Sequence, residues 1–131
     1  MTADDERIGT TVAHRRYVSA ADAHYGGNLV DGAYVLALFG DVATEICIRT
    51  DGDEGLFAGY SDVRFLAPVR GGDVLEITGT VTAVGRTSRQ LALRACVVCR
   101  ATPAAGPSSS AVLDKPLVVV EAVGTVVVPS S

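Results

Sequence analysis

A chain of 131 residues, 48% hydrophobic and 20% charged, has the make-up of one globular domain spanning 1–131, too short for two comfortable cores. Its net charge of −4 argues against a nucleic-acid partner, and no run of roughly 18 apolar residues offers a membrane span. Three cysteines, Cys47, Cys96 and Cys99, with no signal peptide, point to a reducing cytoplasmic compartment, where they are expected to be buried thiols. Two histidines and no zinc-type spacing predict no metal.

Residues 1–8 are polar and acidic and read as a disordered terminus. Thr10–Val18 carries β-formers and predicts a first strand. Asp22–Asn28, with its Gly-Gly pair, predicts a loop. From Asp31 to Arg49, Val35, Leu38, Phe39, Val42 and Ile46 recur at helical spacing, with Asp31 or Asn28 available as the cap. The stretch TDGDEG, Thr50–Gly55, ends this helix. Strands follow over Leu56–Val69, bent at Gly59, then Asp73–Val84, Gln90–Ala101 and Pro116–Val128. Thr102–Asp114 is rich in Pro, Ser and Gly and predicts a flexible loop over 102–114. One long helix packed on an antiparallel sheet of about five strands makes an α+β domain. The helix is apolar nearly all round, which predicts a second packing surface, such as another subunit.

Two acids interrupt that helix. Asp31, Tyr34, Leu38, Asp41 and Glu45 form a stripe beside the apolar one, at about 100° per residue. If the stripe is partly buried, one carboxyl of the Asp41–Glu45 pair should have a raised pKa and serve acid–base chemistry. Glu45 can equally pair with Arg49 at i+4 on a solvated edge. His24 stands in the loop before the helix. The segments HYGGN (His24–Asn28) and VDGA (Val30–Ala33) place small residues just ahead of the helix N-terminus. There the free N–H groups of Gly32 and Ala33 can meet a developing oxyanion. An enolate formed from a carbonyl compound fits this arrangement; a loop that needs glycine to turn is the plainer alternative.

Strand, Gly-rich loop, long helix and wrapping sheet together resemble the hot-dog fold. DAHYGGNLVDG, Asp22–Gly32, has the frame of the acyl-CoA thioesterase loop, but Phe39 stands where those enzymes carry their catalytic acid. DAHYGGNLVDGA, LFGDVATE, DGDEGLF, FLAPV and GRTSR, spread over Val18–Pro129, resemble the 3-aminobutyryl-CoA and β-alanyl-CoA ammonia-lyase family more closely.

That resemblance implies a carbon–nitrogen lyase that removes ammonia from a β-aminoacyl-CoA, or adds it to an enoyl-CoA. It implies Glu45 as base and Asp41 as second acid, with the choice between them open. The second acid, or Asp31, would hold the substrate ammonium, and His24 or Tyr25 would position the amine or shuttle a proton. Gly26, Gly27, Asn28, Asp31, Gly32 and Ala33 would line the substrate site. Arg86, Ser88 and Arg89 would meet CoA, with Arg64, Arg70 and Lys115 as weaker candidates. It implies no cofactor beyond the coenzyme A of the substrate, and self-association to a dimer or a trimer of dimers. The alternatives are an acyl-CoA thioesterase and a non-catalytic acyl-thioester binding module.

Overall fold

A computed structural model describes residues 5–129. Helix α1 runs Gly32–Asp51. Asp31 is its N-cap, accepting from the Tyr34 N–H, and Gly52 closes it with a left-handed φ of 64°. The apolar spacing does what it predicts: Val35, Leu38, Phe39, Val42, Ala43, Ile46 and Cys47 are buried.

Five strands follow the expected order: β1 Thr11–Tyr17, β2 Leu56–Phe65, β3 Val74–Val84, β4 Ser88–Ala101 and β5 Ser110–Val127. They pair antiparallel throughout as β1-β3-β4-β5-β2, leaving β1 and β2 at the edges. One face of β3 and β4 is buried against the helix, with Leu75, Ile77 and Val81 alternating on one and Leu91, Leu93, Ala95 and Val97 on the other. Gly79 on β3 lies under the helix. A methyl there would come within 2.8 Å of Val42 and 3.0 Å of Ile46, so its lack of a side chain lets helix and sheet close up.

The irregularities fall near the glycine and proline signals. β2 slips register between Phe57 and Gly59, where a bend was expected, and ends at Phe65, short of the predicted Val69. β5 begins at Ser110, so the loop predicted over 102–114 stops six residues after the short 3-10 turn Pro103–Ala105 begins, at Ser109. Val112 pairs with Cys99 and Leu117 with Val97, and the ladder skips the residues around Pro116, which has no N–H to give it. At the amino end, Met1–Asp4 lie outside the described residues. Residues 5–8, expected to be disordered, form a turn in which Arg7 bonds Asp5 and reaches Asp51 at the end of α1. No helix among the described residues is long and apolar enough to cross a membrane.

Candidate active site

The loop before α1 folds back on itself. The Tyr25 N–H donates to the Leu29 carbonyl, and Asn28, at φ 62°, donates its side-chain amide to the carbonyl of Gly71. Asn28 is thereby a loop anchor, and the cap role falls to Asp31. The backbone then runs beside Pro68–Gly71, with the Val30 N–H on the Val69 carbonyl. Gly27 turns at φ 78° in this exposed loop, with Gly26 beside it.

Asp31 does two things at once. Its Oδ1 accepts the Tyr34 N–H at 3.1 Å, and its Oδ2 lies 3.0 Å from His24 Nε2. With the ring proton on Nε2, His24 donates to this carboxylate and leaves Nδ1 as a proton acceptor. The His24 contact is the main reason that the Asp31 carboxyl is held below its ordinary pKa. Tyr25 meets the imidazole edge-on, ring centroids 4.7 Å apart. The cap takes only the third N–H of the helix, so those of Gly32 and Ala33 point out of the N-terminus with no partner among the described residues.

Beside them opens a cavity of about 410 Å³. Asp31 and Gly32 form one wall and Val35, Phe65, Pro68 and Val120 the others. It is apolar except for the Asp31 carboxylate and the helix end. The position is dictated by glycine: a Cβ on residue 32 would stand 2.6 Å from Phe65 Cε1.

The two helix acids are elsewhere. Glu45 follows Gly32 by thirteen residues, roughly 20 Å along the axis, and Asp41 by nine, roughly 14 Å. Asp41 is exposed. Glu45 is doubly engaged: Arg49 Nε donates to Oε2 at 2.7 Å, and His14 Nε2 lies 2.8 Å from Oε1. Arg49 first and His14 second hold its carboxyl below the ordinary range, so the pKa-raising coupling expected for the Asp41–Glu45 pair is absent from Glu45. His14 went unnoticed in the sequence. It shares strand parity with buried Val12, which turns it toward the helix.

Arg89 is also not a free phosphate ligand. It is buried, and its Nε and Nη2 clasp Asp51 at 3.0 and 2.7 Å while Nη1 donates to the carbonyls of Gly85 and Ser88. Arg86 is exposed on the adjoining turn and Ser88 opens β4. Because Arg89 ties this turn to the last residue of α1, the turn lies roughly 29 Å from Gly32 along the helix. The thiols also differ from expectation. Cys47 is buried, but Cys96 and Cys99 are only partly so, and all three are free. Among the described residues no group of three or more His, Cys, Asp or Glu is placed to hold a metal.

Similarity to known proteins places the chain in a family. Residues 27–96 match the Thioesterase superfamily. A protein of Acetoanaerobium sticklandii named 3-aminobutyryl-CoA ammonia lyase is 53% identical over 112 residues, covering 86% of this chain and 89% of that one. The β-alanyl-CoA:ammonia lyase structure from Clostridium propionicum superposes with a TM-score of 0.87 at 36% identity, over 92% of this chain and 86% of that one. A hexameric thioesterase of Yersinia pestis shares the fold, with a TM-score of 0.73 at 18% identity over 94% and 89% of the two chains. The five-stranded sheet around α1 is the hot-dog fold, and the chain belongs to the Thioesterase superfamily and, within it, to the 3-aminobutyryl-CoA ammonia lyase family.

Proposed function

We propose that this enzyme is a carbon–nitrogen lyase that eliminates ammonia from a β-aminoacyl-CoA to give the enoyl-CoA, or runs the addition in reverse. The observation that carries it is the 53% identity to the ammonia lyase of Acetoanaerobium sticklandii across 86% of the chain. The geometry supports a route. The thioester oxygen meets the N–H groups of Gly32 and Ala33, where the helix end stabilises the enolate. His24 Nδ1, the ring held by Asp31, takes the α-proton. The Cβ–N bond of the substrate ammonium then breaks, and ammonia leaves with its electron pair. The proton on His24 passes to it, so the products are the enoyl-CoA and ammonium. The Asp31 carboxylate at the cavity wall favours a cationic amine over a purely alkyl chain.

His24 thus takes precedence over Glu45 and Asp41, which in one chain are too far from Gly32 to act on the same thioester. They reach it only if a second copy brings its helix alongside, and that is the second reading we retain. Exposed Leu56, Phe65 and Leu66, on and just beyond edge strand β2, support self-association to a dimer or a trimer of dimers. The free thiols and the CoA substrate favour a cytoplasmic setting. Thioesterase activity is disfavoured because Phe39 is wholly buried where that reaction would need a carboxylate.

The test is a panel of β-aminoacyl-CoAs, followed by enoyl-thioester absorbance, ammonia release and mass spectrometry. Enoyl-CoA and ammonia in equal amounts are expected. Free CoA thiol without ammonia would make it a thioesterase, and binding without either product a thioester-holding module.

A further inference from the structure

Seven of the eleven basic side chains are in ion pairs among the described residues: Arg7, Arg15, Arg49, Arg64, Arg89, Arg94 and Arg100. Arg16 leans on the Tyr34 hydroxyl. Arg70 has no carboxylate within reach among the described residues, although Asp73 is three residues away. The reason is that Asp73 is already taken. It is fully buried, and Arg100 Nε and Nη2 donate to its two oxygens at 2.9 and 2.8 Å. Asp73 also accepts the backbone N–H of Arg70 at 2.8 Å. The carboxylate is thus taken up by the Arg100 guanidinium and the Arg70 backbone N–H, and the positive charge of the Arg70 side chain is left over.

That charge lines a cleft of about 380 Å³ with Asn28, Pro68, Gly71 and Arg100. Nη1 of Arg100 has no partner among the described residues and adds donors there. The cleft adjoins the cavity at the helix N-terminus, and Pro68 is a wall of both. Leu29 bridges Arg70 across the antiparallel segment. Leu29 and Gly32 are three residues apart, at most roughly 11 Å, and the bridge adds roughly 5 Å. An extended pantetheine arm covers a comparable span. Arg86, by contrast, sits at the far end of α1.

We infer that Arg70, with Arg100 behind it, anchors the diphosphate of coenzyme A when the thioester lies at Gly32 of the same chain. The inference rests on the acyl-CoA reading above. Guanidinium suits this task, since it meets phosphate oxygens through two parallel N–H donors. The side chain of Arg70 is exposed and makes no bond that the fold depends on, so Arg70→Gln leaves the protein folded.

Calorimetric titration of the wild type and Arg70→Gln with CoA, dephospho-CoA and pantetheine tests it. The variant should lose tenfold or more in affinity for CoA and dephospho-CoA alike, and nothing for pantetheine. Turnover at saturating substrate should stay within a few-fold, with the loss in KM. Affinity for CoA within twofold of wild type overturns the inference while leaving wild-type lyase turnover, and the function it supports, standing. So does a loss confined to CoA, which would move the contact to the 3′-phosphate. Failure of the wild type to bind CoA at all sinks both.

Discussion

The ring of Phe65 occupies the space that a side chain at Gly32 would need, with Cε1 2.6 Å from where a Cβ would stand. The two residues lie on the wall of the same cavity, one at the helix start and one at the end of β2. Gly32→Ala should therefore push the ring into the cavity or tilt the first turn of α1. A misplacement on the scale of an ångström costs catalysis roughly a hundredfold. We expect kcat/KM to fall by about that factor while the melting temperature barely moves, because alanine favours the helix. Adding Phe65→Leu should recover part of the loss. Full activity in the single variant would separate this helix end from the chemistry.

His24→Asn should lower kcat by about a hundredfold or more with the fold intact, since the side chain is exposed. Asp31→Asn is the sharper experiment. Asparagine caps a helix as well as aspartate does, so the helix start survives and only the charge beside His24 is lost. Steady-state kinetics should show kcat falling as for His24→Asn, with circular dichroism unchanged. An active Asp31→Asn would reduce the residue to a cap.

Glu45→Gln tests the competing base. The pairs with His14 and Arg49 put this carboxylate on a clip between α1 and edge strand β1. With His24 as base, kcat of Glu45→Gln stays within a few-fold of wild type. A hundredfold loss, alongside an active His24→Asn, would assign proton transfer to Glu45 of a second copy. The carboxyl's lowered pKa weakens it for that task in the isolated chain.

The pair of Asp51 and Arg89 predicts how acid unfolds the protein. Arg89 chiefly holds the Asp51 carboxyl at about 2, below its ordinary 3.8. A depressed carboxyl stabilises the fold above its unfolded pKa, so this contribution is complete above about pH 4 and is lost as pH falls toward 2. Side-chain exposures of 13% for Asp51 and 3% for Arg89 make the pair a buried one. Asp51→Asn leaves a buried guanidinium without its counter-charge and should cost about 3 kcal/mol or more at pH 7. Urea denaturation across pH 2–7 should show the gap between variant and wild type closing below pH 4. A constant gap would mean that packing, not charge, accounts for the loss.

Much of this was legible in the chain. The helix was announced by the spacing of Val35, Leu38, Phe39, Val42 and Ile46, and the loop before it by its glycines, because both signals are local. Partnerships across long separations were not. Asp51 and Arg89 are 38 residues apart, and His14 and Glu45 31, so spacing alone leaves each looking free. Strand parity held a clue to both. Arg89 shares its side of β4 with Leu91, Leu93, Ala95 and Val97, which marks it as inward-facing, and His14 shares its side of β1 with Val12. The start of β5 was missed because Ser110–Val112 pair only with the end of β4, while the Pro and Ser around them carry the local signature of a loop.

Because one carboxylate both begins the helix and orients the imidazole, the Tyr34 amide becomes a gauge of the site's charge. Whatever weakens the Asp31 carboxylate as an acceptor, whether protonation by strong acid or a bound ammonium that draws it away from the ring, also loosens its hydrogen bond to that amide, whose other acceptor is the Asp31 carbonyl at 3.3 Å. Hydrogen exchange at Tyr34 should then follow occupancy of the neighbouring cavity, so that a single backbone proton reports on a reaction in which it takes no part.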